Sequence, residues 1–219
     1  MNVKFVFRIV SLAVLITSAF MLPSVGIALY DGQIRNAVAY LVSAGLMALV
    51  SLCVIYATRK NKQTVYAQEG IAATGISWLT ISAFGALPFF LSGEIPNYID
   101  ALFEIISGFT TTGASILTDV ESLSRCNMYW RSFSHWLGGM GMLVFIIAVI
   151  PQTKKGSGSG IHLMRAESPG PSVGKFTPHL RETALILYGI YFLLTVFCVV
   201  FLLLGDMPLF DSLCISFGT

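Results

Sequence analysis

The chain has 219 residues, of which 55% are hydrophobic and only 11% are charged, and its formal net charge is +2 at pH 7. Soluble domains usually carry about 25% charged residues, so this composition excludes an ordinary soluble protein. No nucleic acid is expected among its partners, whereas membrane lipid is. The composition therefore predicts an all-α polytopic membrane protein.

Five uncharged runs of 22 to 24 residues divide the chain. About 20 apolar residues are enough to cross a bilayer, so each run predicts a transmembrane helix. The first run follows Lys4 and Arg8 as a signal peptide would, but its length and the lack of a small-residue cleavage site before Asp31 favour an uncleaved anchor. The predicted spans are 9–30, 36–58, 70–93, 132–153 and 183–205.

Basic residues predict the orientation of these spans. Placing the N-terminus in the cytoplasm puts ten of the 13 Lys and Arg residues on the inner side, as the positive-inside rule requires. The outer side then carries three basic and eight acidic residues, a net charge of −5, with Glu104 among the acids. Solubility explains this acidic face most simply. The alternative is that it concentrates cations at the mouth of a pore.

One uncharged stretch is too short to span the membrane. Fourteen residues separate Glu104 from Asp119, and Thr110-Thr111-Thr112-Gly113 lies at their centre. An apolar run of this length suits a re-entrant segment, and non-helical backbone at membrane depth is tolerated only where protein buries it or water lines it. The stretch therefore predicts a re-entrant loop, with an ordinary threonine-rich outer turn as the alternative.

A short helix is predicted immediately before this loop. Pro96 ends the preceding helix, and Asn97 caps the next one with Asp100 as its capping-box partner. The pore helix is predicted over 98–110, and its C-terminal end carries a partial negative charge. That charge favours a cation at the depth of the loop.

The loop residues themselves suit ion coordination by backbone carbonyls. Thr111, Thr112 and Gly113 follow the helix, and rings of carbonyl oxygens are how a potassium filter replaces the water around its ion. Gly113 is the residue able to adopt the left-handed or extended backbone that aims such carbonyls. The sequence therefore predicts a K⁺ site at these three residues.

The chain also repeats itself. Residues 93–102 recur as 205–213 with one residue deleted, and both copies follow a predicted span. The unit is a span, an outer proline turn, a short helix, a loop and a second span. Transport proteins often place ion sites at the interfaces of such repeats. The second copy stops at 216–219, which predicts that the chain is part of a longer one.

Three motifs carry a family resemblance. FEIISGFTTTGASILTDVE, WRSFSHWLGGMGMLVFIIAVIP and MRAESPGPSVGKFTPHLRETA resemble the first pore repeat and following loop of the Trk/Ktr/HKT cation transporters, most closely those of the TrkH type. His179 stands where that family usually has arginine. The resemblance implies span–re-entrant pore helix–span repeats around a pore. By this resemblance the chain divides into two extra N-terminal helices at 1–60, a first repeat at 61–153, a cytoplasmic loop at 154–181 and the start of the second repeat at 182–219. The first repeat would consist of the span 70–93, the pore helix 98–110, the filter loop 110–115 and the span 132–153.

The same resemblance implies channel-like potassium uptake in a bacterial inner membrane. The family's selectivity glycine corresponds to Gly113. The resemblance also implies that Thr111 and Thr112 supply filter carbonyls, and that Thr110, Ala114 and Ser115 flank them. A homodimer and a cytoplasmic TrkA-like nucleotide-binding ring are the implied partners. Neither enzymatic activity nor an organic cofactor is expected. The alternatives are a K⁺ transporter coupled to Na⁺ or H⁺ and a membrane scaffold subunit without transport activity.

Several further residues leave two interpretations open. Gly138, Gly139 and Gly141 indicate close helix packing, with a hinge as the alternative. His135 either lines an outer vestibule or is packed. The four cysteines show no metal-ligand spacing, and a disulfide between Cys126 and Cys214 stays open.

Overall fold

The computed structural model describes residues 3–58, 67–139, 141 and 180–219, and these residues are helical apart from turns and one loop. The all-α fold and the polytopic arrangement are therefore confirmed. Most of the predicted loop 154–181 and of the span 132–153 lie outside the described residues. The helices are α1 (Val3–Phe20), α2 (Leu22–Tyr30), α3 (Ile34–Thr58), α4 (Ala67–Gly85), α5 (Leu87–Ser92), α6 (Tyr98–Phe109), α7 (Arg125–Gly139), α8 (Leu180–Leu204) and α9 (Leu209–Gly218).

Four helical segments of the described chain are long and apolar enough to cross a membrane. They correspond to four of the five predicted spans, and they cover Val3–Tyr30, Ile34–Thr58, Glu69–Ser92 and Ala184–Leu204. The described residues at the start of the fifth predicted span, 132–153, belong to α7, a helix that already begins at Arg125. The sequence prediction stopped at Arg131 as a charged boundary, whereas the structure places that residue inside the helix.

Prolines interrupt two of these spans. Met21 separates α1 from α2, and Pro23 lies in the first turn of α2. Ala86 separates α4 from α5, with Pro88 in the same relative position. Proline lacks the N–H that would continue the helical hydrogen bonds and its ring clashes with the preceding turn, so the helical hydrogen-bond pattern of both spans is interrupted at these points.

The N-terminal helices pack directly on the rest of the chain. α1 lies against α3 and α4, α2 lies against α3 and α7, and α3 also contacts α5. Ala13, Met21, Tyr40 and Met47 are each completely buried in this packing. The described part of residues 1–60, which were predicted as two extra helices, therefore shares one hydrophobic core with the segment that follows.

A group of buried and half-buried polar residues joins these helices near the predicted outer side, and we call Asn36, Tyr40, Glu94, Ser124 and Asn127 the outer polar cluster. The Asn36 amide donates to Glu94 Oε1 at 2.8 Å and to Ser124 Oγ at 3.0 Å. The Ser124 N–H donates to Glu94 Oε2 at 2.9 Å, and the Tyr40 hydroxyl donates to Asn127 Oδ1 at 2.7 Å. The cluster ties α3 to the turn after α5 and to the start of α7.

The two copies of the sequence repeat adopt the same order of structure. In the first copy Gly93 has φ +79° at the end of α5, and in the second Asp206 has φ +60° after α8. Pro96 and Pro208 follow, and the short helices α6 and α9 come next. The copies differ at the helix start, because the Asn97 side chain caps α6 whereas Pro208 precedes α9 without a side-chain cap.

Candidate functional site

A helix, α6, lies where the sequence predicts the pore helix. It runs from Tyr98 to Phe109, one residue shorter than the predicted 98–110. The Asn97 side chain accepts a hydrogen bond from the Ile99 N–H at 3.0 Å. The predicted N-cap is therefore confirmed, but its bond reaches Ile99 and not the N–H of Asp100 that a capping box would use. Asp100 lies in the first turn, where a negative charge favours the helix dipole.

The C-terminal end of α6 closes in a Schellman motif. The Thr111 N–H donates to the Gly108 carbonyl at 2.9 Å, and the Thr112 N–H donates to the Ser107 carbonyl at 3.0 Å. Thr111 has φ +54°, which is the left-handed conformation this motif requires. Glycine normally occupies this position, and a β-branched residue there is rare. The N–H groups of Thr111 and Thr112 therefore form hydrogen bonds to the last turn of the helix.

Three carbonyl oxygens at the start of the loop accept no hydrogen bond within the described chain. Among the hydrogen bonds of the described residues, none is accepted by the carbonyls of Thr111, Thr112 or Gly113. All three residues are exposed, and Gly113 has φ +75° with no atom within 4 Å of a Cβ built on it. The Thr110 and Thr112 hydroxyls lie 2.8 Å apart. Unpaired oxygens at the negative end of a helix suit a cation.

The returning limb of the loop is tied back to α6. The Ser107 hydroxyl donates to the Ala114 carbonyl at 2.6 Å. One carboxylate oxygen, Glu104 Oε1, accepts from the Ser115 hydroxyl at 2.5 Å and from the Ile116 N–H at 2.7 Å. Ala114 and Ser115, predicted as flanks, therefore anchor the loop to its own helix.

Glu104 is a residue whose role the sequence analysis missed. It is 1% exposed, and its Oε2 accepts from Arg131 Nε at 2.9 Å. Its carboxylate does not contribute to an exposed acidic surface, because three donors hold it inside the protein. Helical spacing was the signal available, since Ala101, Ile105 and Gly108 share the buried face of α6 with Glu104.

Close packing of α6 on α4 and α7 holds the helix end in place. The Phe109 ring lies 5.9 Å from that of Trp78 and 6.3 Å from that of Trp130, centroid to centroid. A Cβ built on Gly138 would overlap the Phe109 carbonyl, and one built on Gly108 would overlap the Ser134 hydroxyl. The packing interpretation of Gly138 is therefore confirmed.

The neighbouring glycines behave differently from one another. A Cβ on Gly139 would lie 2.5 Å from the Tyr191 hydroxyl, so this position also needs a small residue. Gly141 has φ +74°, and its carbonyl accepts from the Tyr188 hydroxyl at 3.1 Å. Two tyrosines of α8 thus contact the glycine-rich end of α7.

A cavity of about 860 Å³ lies beside Gly113, between the loop, α7 and α9. Its walls include Arg131, His135 and Asp211. His135 is 8% exposed, so both interpretations of this residue hold: it is packed and it lines the cavity. Cys214 also reaches the cavity wall, but Cys126 and Cys214 are both free thiols, and the disulfide alternative is wrong.

Comparison with known proteins agrees with this architecture. The family model TrkH, described as a cation transport protein, matches residues 37–207. The Trk system potassium uptake protein TrkH of Salmonella typhimurium is 37% identical over 224 residues, and that of Halomonas elongata is 34% identical over 223 residues. Each alignment covers 100% of this chain and 45% of the relative.

A solved structure shows the same fold. The crystal structure of the potassium transporter TrkH from Vibrio parahaemolyticus superposes with a TM-score of 0.78 at 28% identity, over 99% of this chain and 42% of that one. The chain thus spans less than half the length of these relatives. The match of the family model over most of the sequence shows that the chain belongs to the TrkH family of cation transport proteins.

Proposed function

We propose that the protein carrying this chain takes up potassium through a pore, and that Thr111, Thr112 and Gly113 form one side of its selectivity filter. The observation that carries this proposal is the unpaired state of their three carbonyls, at the C-terminal end of a short helix. The relatives named as potassium uptake proteins point to the same cation.

The local hydrogen bonding supports a filter made of backbone atoms. The N–H groups of Thr110, Thr111 and Thr112 are directed into the last turn of α6, which leaves oxygen atoms as the available groups of these three residues. A dehydrated K⁺ needs oxygen ligands from several sides, and one loop supplies only part of them. The proposed pore therefore combines this loop with those of further repeats.

The wider protein follows from the family resemblance. We propose a multi-pass protein of the bacterial inner membrane, with a cytoplasmic N-terminus, that assembles as a homodimer and is regulated by a TrkA-like nucleotide-binding ring. Transport is channel-like. Coupling to Na⁺ or H⁺ is the second candidate, and reversal potentials in planar bilayers separate the two, because a channel follows the K⁺ gradient alone.

Substitution of Gly113 tests the filter. The protein expressed from its complete reading frame should rescue growth of a potassium-uptake-deficient bacterium at low K⁺. Gly113→Ala leaves room for its Cβ but strains the backbone at φ +75°, and Gly113→Asp adds a charge. We expect Rb⁺ influx or the K⁺/Na⁺ ratio to fall at least tenfold, while the amount of inserted protein stays the same.

Gly75→Ala is the matched control, because a Cβ at Gly75 meets no atom within 4 Å and the backbone there is helical. It should transport as the wild type does. Unchanged influx and ion ratio in both Gly113 variants would refute the filter assignment. Failure of the wild-type protein to rescue growth would instead favour a scaffold subunit.

A further inference from the structure

We propose that the buried Glu104–Arg131 pair positions the filter loop, and that Glu104 thereby sets the discrimination between K⁺ and Na⁺. The inference rests on the proposed function, because it assigns the residue that holds the filter in shape. Glu104 is a positioning residue, since it contacts the loop from α6 and offers no atom to the ion.

The first step is geometric. Glu104 holds Ser115 and Ile116 with a single carboxylate oxygen, while Ser107 holds the carbonyl of Ala114. The Schellman motif fixes the other end of the loop at Thr112. Only Gly113 lies between these two anchored ends. The spacing of the carbonyls before and after Gly113 therefore depends on where the Glu104 carboxylate stands.

The second step concerns charge. A buried carboxylate is costly unless it is paired and hydrogen-bonded, and Glu104 has both kinds of partner in Arg131, Ser115 and Ile116. Because the pair is neutral, its main effect is on the shape of the loop. Loss of Glu104 alone would leave the Arg131 cation on the wall of the cavity beside Gly113, where it would repel K⁺.

The third step is a comparison within the chain. When the two repeats are aligned with their one deletion, Asp100 matches Asp211 and Glu104 matches Ile215. Ile215 is 45% exposed and has no group that could accept a hydrogen bond from a loop through its side chain. A buried carboxylate at this position therefore distinguishes the first copy of the repeat from the second.

The experiment compares four variants of the complete protein by Rb⁺ and Na⁺ competition in cells. Glu104→Gln should lower the ratio of apparent affinities for K⁺ over Na⁺ roughly tenfold, the scale of a lost hydrogen bond to a charged group. Glu104→Asp keeps the charge and should retain part of the ratio. Ser115→Ala removes one donor and should give a smaller loss than Glu104→Gln.

The double variant Glu104→Gln/Arg131→Gln separates shape from charge. It should recover the maximal Rb⁺ influx lost in Glu104→Gln, because no uncompensated cation remains, but it should not recover the affinity ratio. A merely structural role would lower the amount of inserted protein and the maximal influx of every variant while leaving the ratio at its wild-type value.

That last result would overturn the inference, and so would wild-type ratios in Glu104→Gln and Ser115→Ala. Should Glu104→Gln fail to insert, the ratios of Glu104→Asp and Ser115→Ala decide the question. If the wild-type protein transports no K⁺, the proposed function fails first. If it transports K⁺ and the variants keep its ratio, only the role of Glu104 fails.

Discussion

Thr111 adopts a strained backbone conformation that the shape of the loop requires. A non-glycine residue in the left-handed region costs about 1–2 kcal/mol, and β-branching makes Thr111 an unfavourable choice there. The closure of α6 imposes this conformation through the bonds to Ser107 and Gly108. The positive φ of Gly113 was predictable from its residue type, whereas that of Thr111 depends on the helix end.

A substitution at Thr111 separates the backbone from the side chain. Valine keeps the size and the β-branching of threonine and removes only the hydroxyl, which makes no hydrogen bond within the described chain. If Thr111 acts through its carbonyl, Thr111→Val should retain Rb⁺ influx within about twofold, because a surface change of this kind has a small energetic effect. Thr112→Val, which loses the bond to Thr110, serves as the comparison. Loss of influx in Thr111→Val alone would make the hydroxyl the ligand.

At the scale of elements, the crossing of α6 and α7 determines where the loop stands. The two helices approach closely enough at Gly108 and Gly138 that neither position has room for a Cβ. Phe109 fills the space between Trp78 and Trp130 just above this crossing. The last turn of α6, from which the loop with the unpaired carbonyl oxygens begins, is thus held in place by its packing against α4 and α7.

The crossing predicts a large cost for a single methyl group. In Gly138→Ala the new Cβ would meet the backbone carbonyl of Phe109, which cannot rotate away, so we expect a destabilisation of about 1–3 kcal/mol, as for an overpacked core. Thermal unfolding in detergent, followed by tryptophan fluorescence, measures this change.

Gly189→Ala on α8 is the control for that measurement, because a Cβ there meets no atom within 4 Å. It should unfold at the wild-type temperature or slightly above it, since alanine favours a helix over glycine. Equal unfolding temperatures for the two variants would show that α6 and α7 are farther apart than described.

Much of the architecture at this scale could be predicted because its signals are local. Charge-free length locates the spans, and Pro96 with Asn97 marks the start of α6. The helix α7 begins at Arg125, seven residues before the predicted span 132–153, because the span was bounded at a charged residue that the helix includes. Arg131 is instead neutralised by Glu104, 27 residues earlier. Such a pairing is a tertiary contact, and it could not be predicted from the type or the position of either residue alone.

At the scale of the whole molecule, the outer polar cluster joins the N-terminal helix α3 to the turn after α5 and to the start of α7. Burial alone would raise the pKa of the Glu94 carboxyl, but hydrogen bonds from Ser124, and from Asn36 among others, hold it below its ordinary value of 4.5. A carboxyl whose pKa is lowered in the folded protein contributes its full stabilisation at pH values above the pKa that it has in the unfolded chain. That contribution is lost as the pH falls through the lowered pKa of the folded state.

Acid should therefore weaken the union of α3 with α7. We expect the unfolding temperature of the wild type to fall between pH 7 and about pH 3.5 by more than that of Glu94→Gln, because glutamine has no charge to lose. Glu94→Gln should also be the less stable of the two at pH 7. Asp119→Asn, on the exposed outer loop, is the control and should follow the wild type. Equal acid sensitivity in Glu94→Gln and the wild type would contradict the role of Glu94.

The same cluster has a consequence for biogenesis. Asn36 and Tyr40 leave the ribosome long before Ser124 and Asn127, and the Asn36–Ser124 hydrogen bond spans 88 positions of sequence. At roughly 5–20 residues per second of synthesis, the first two spans must wait several seconds before the later partners of these polar groups are made. We expect the early hairpin to remain beside the insertion machinery until α7 emerges. Photo-crosslinks from position 36 at successive chain lengths would show the moment of its release.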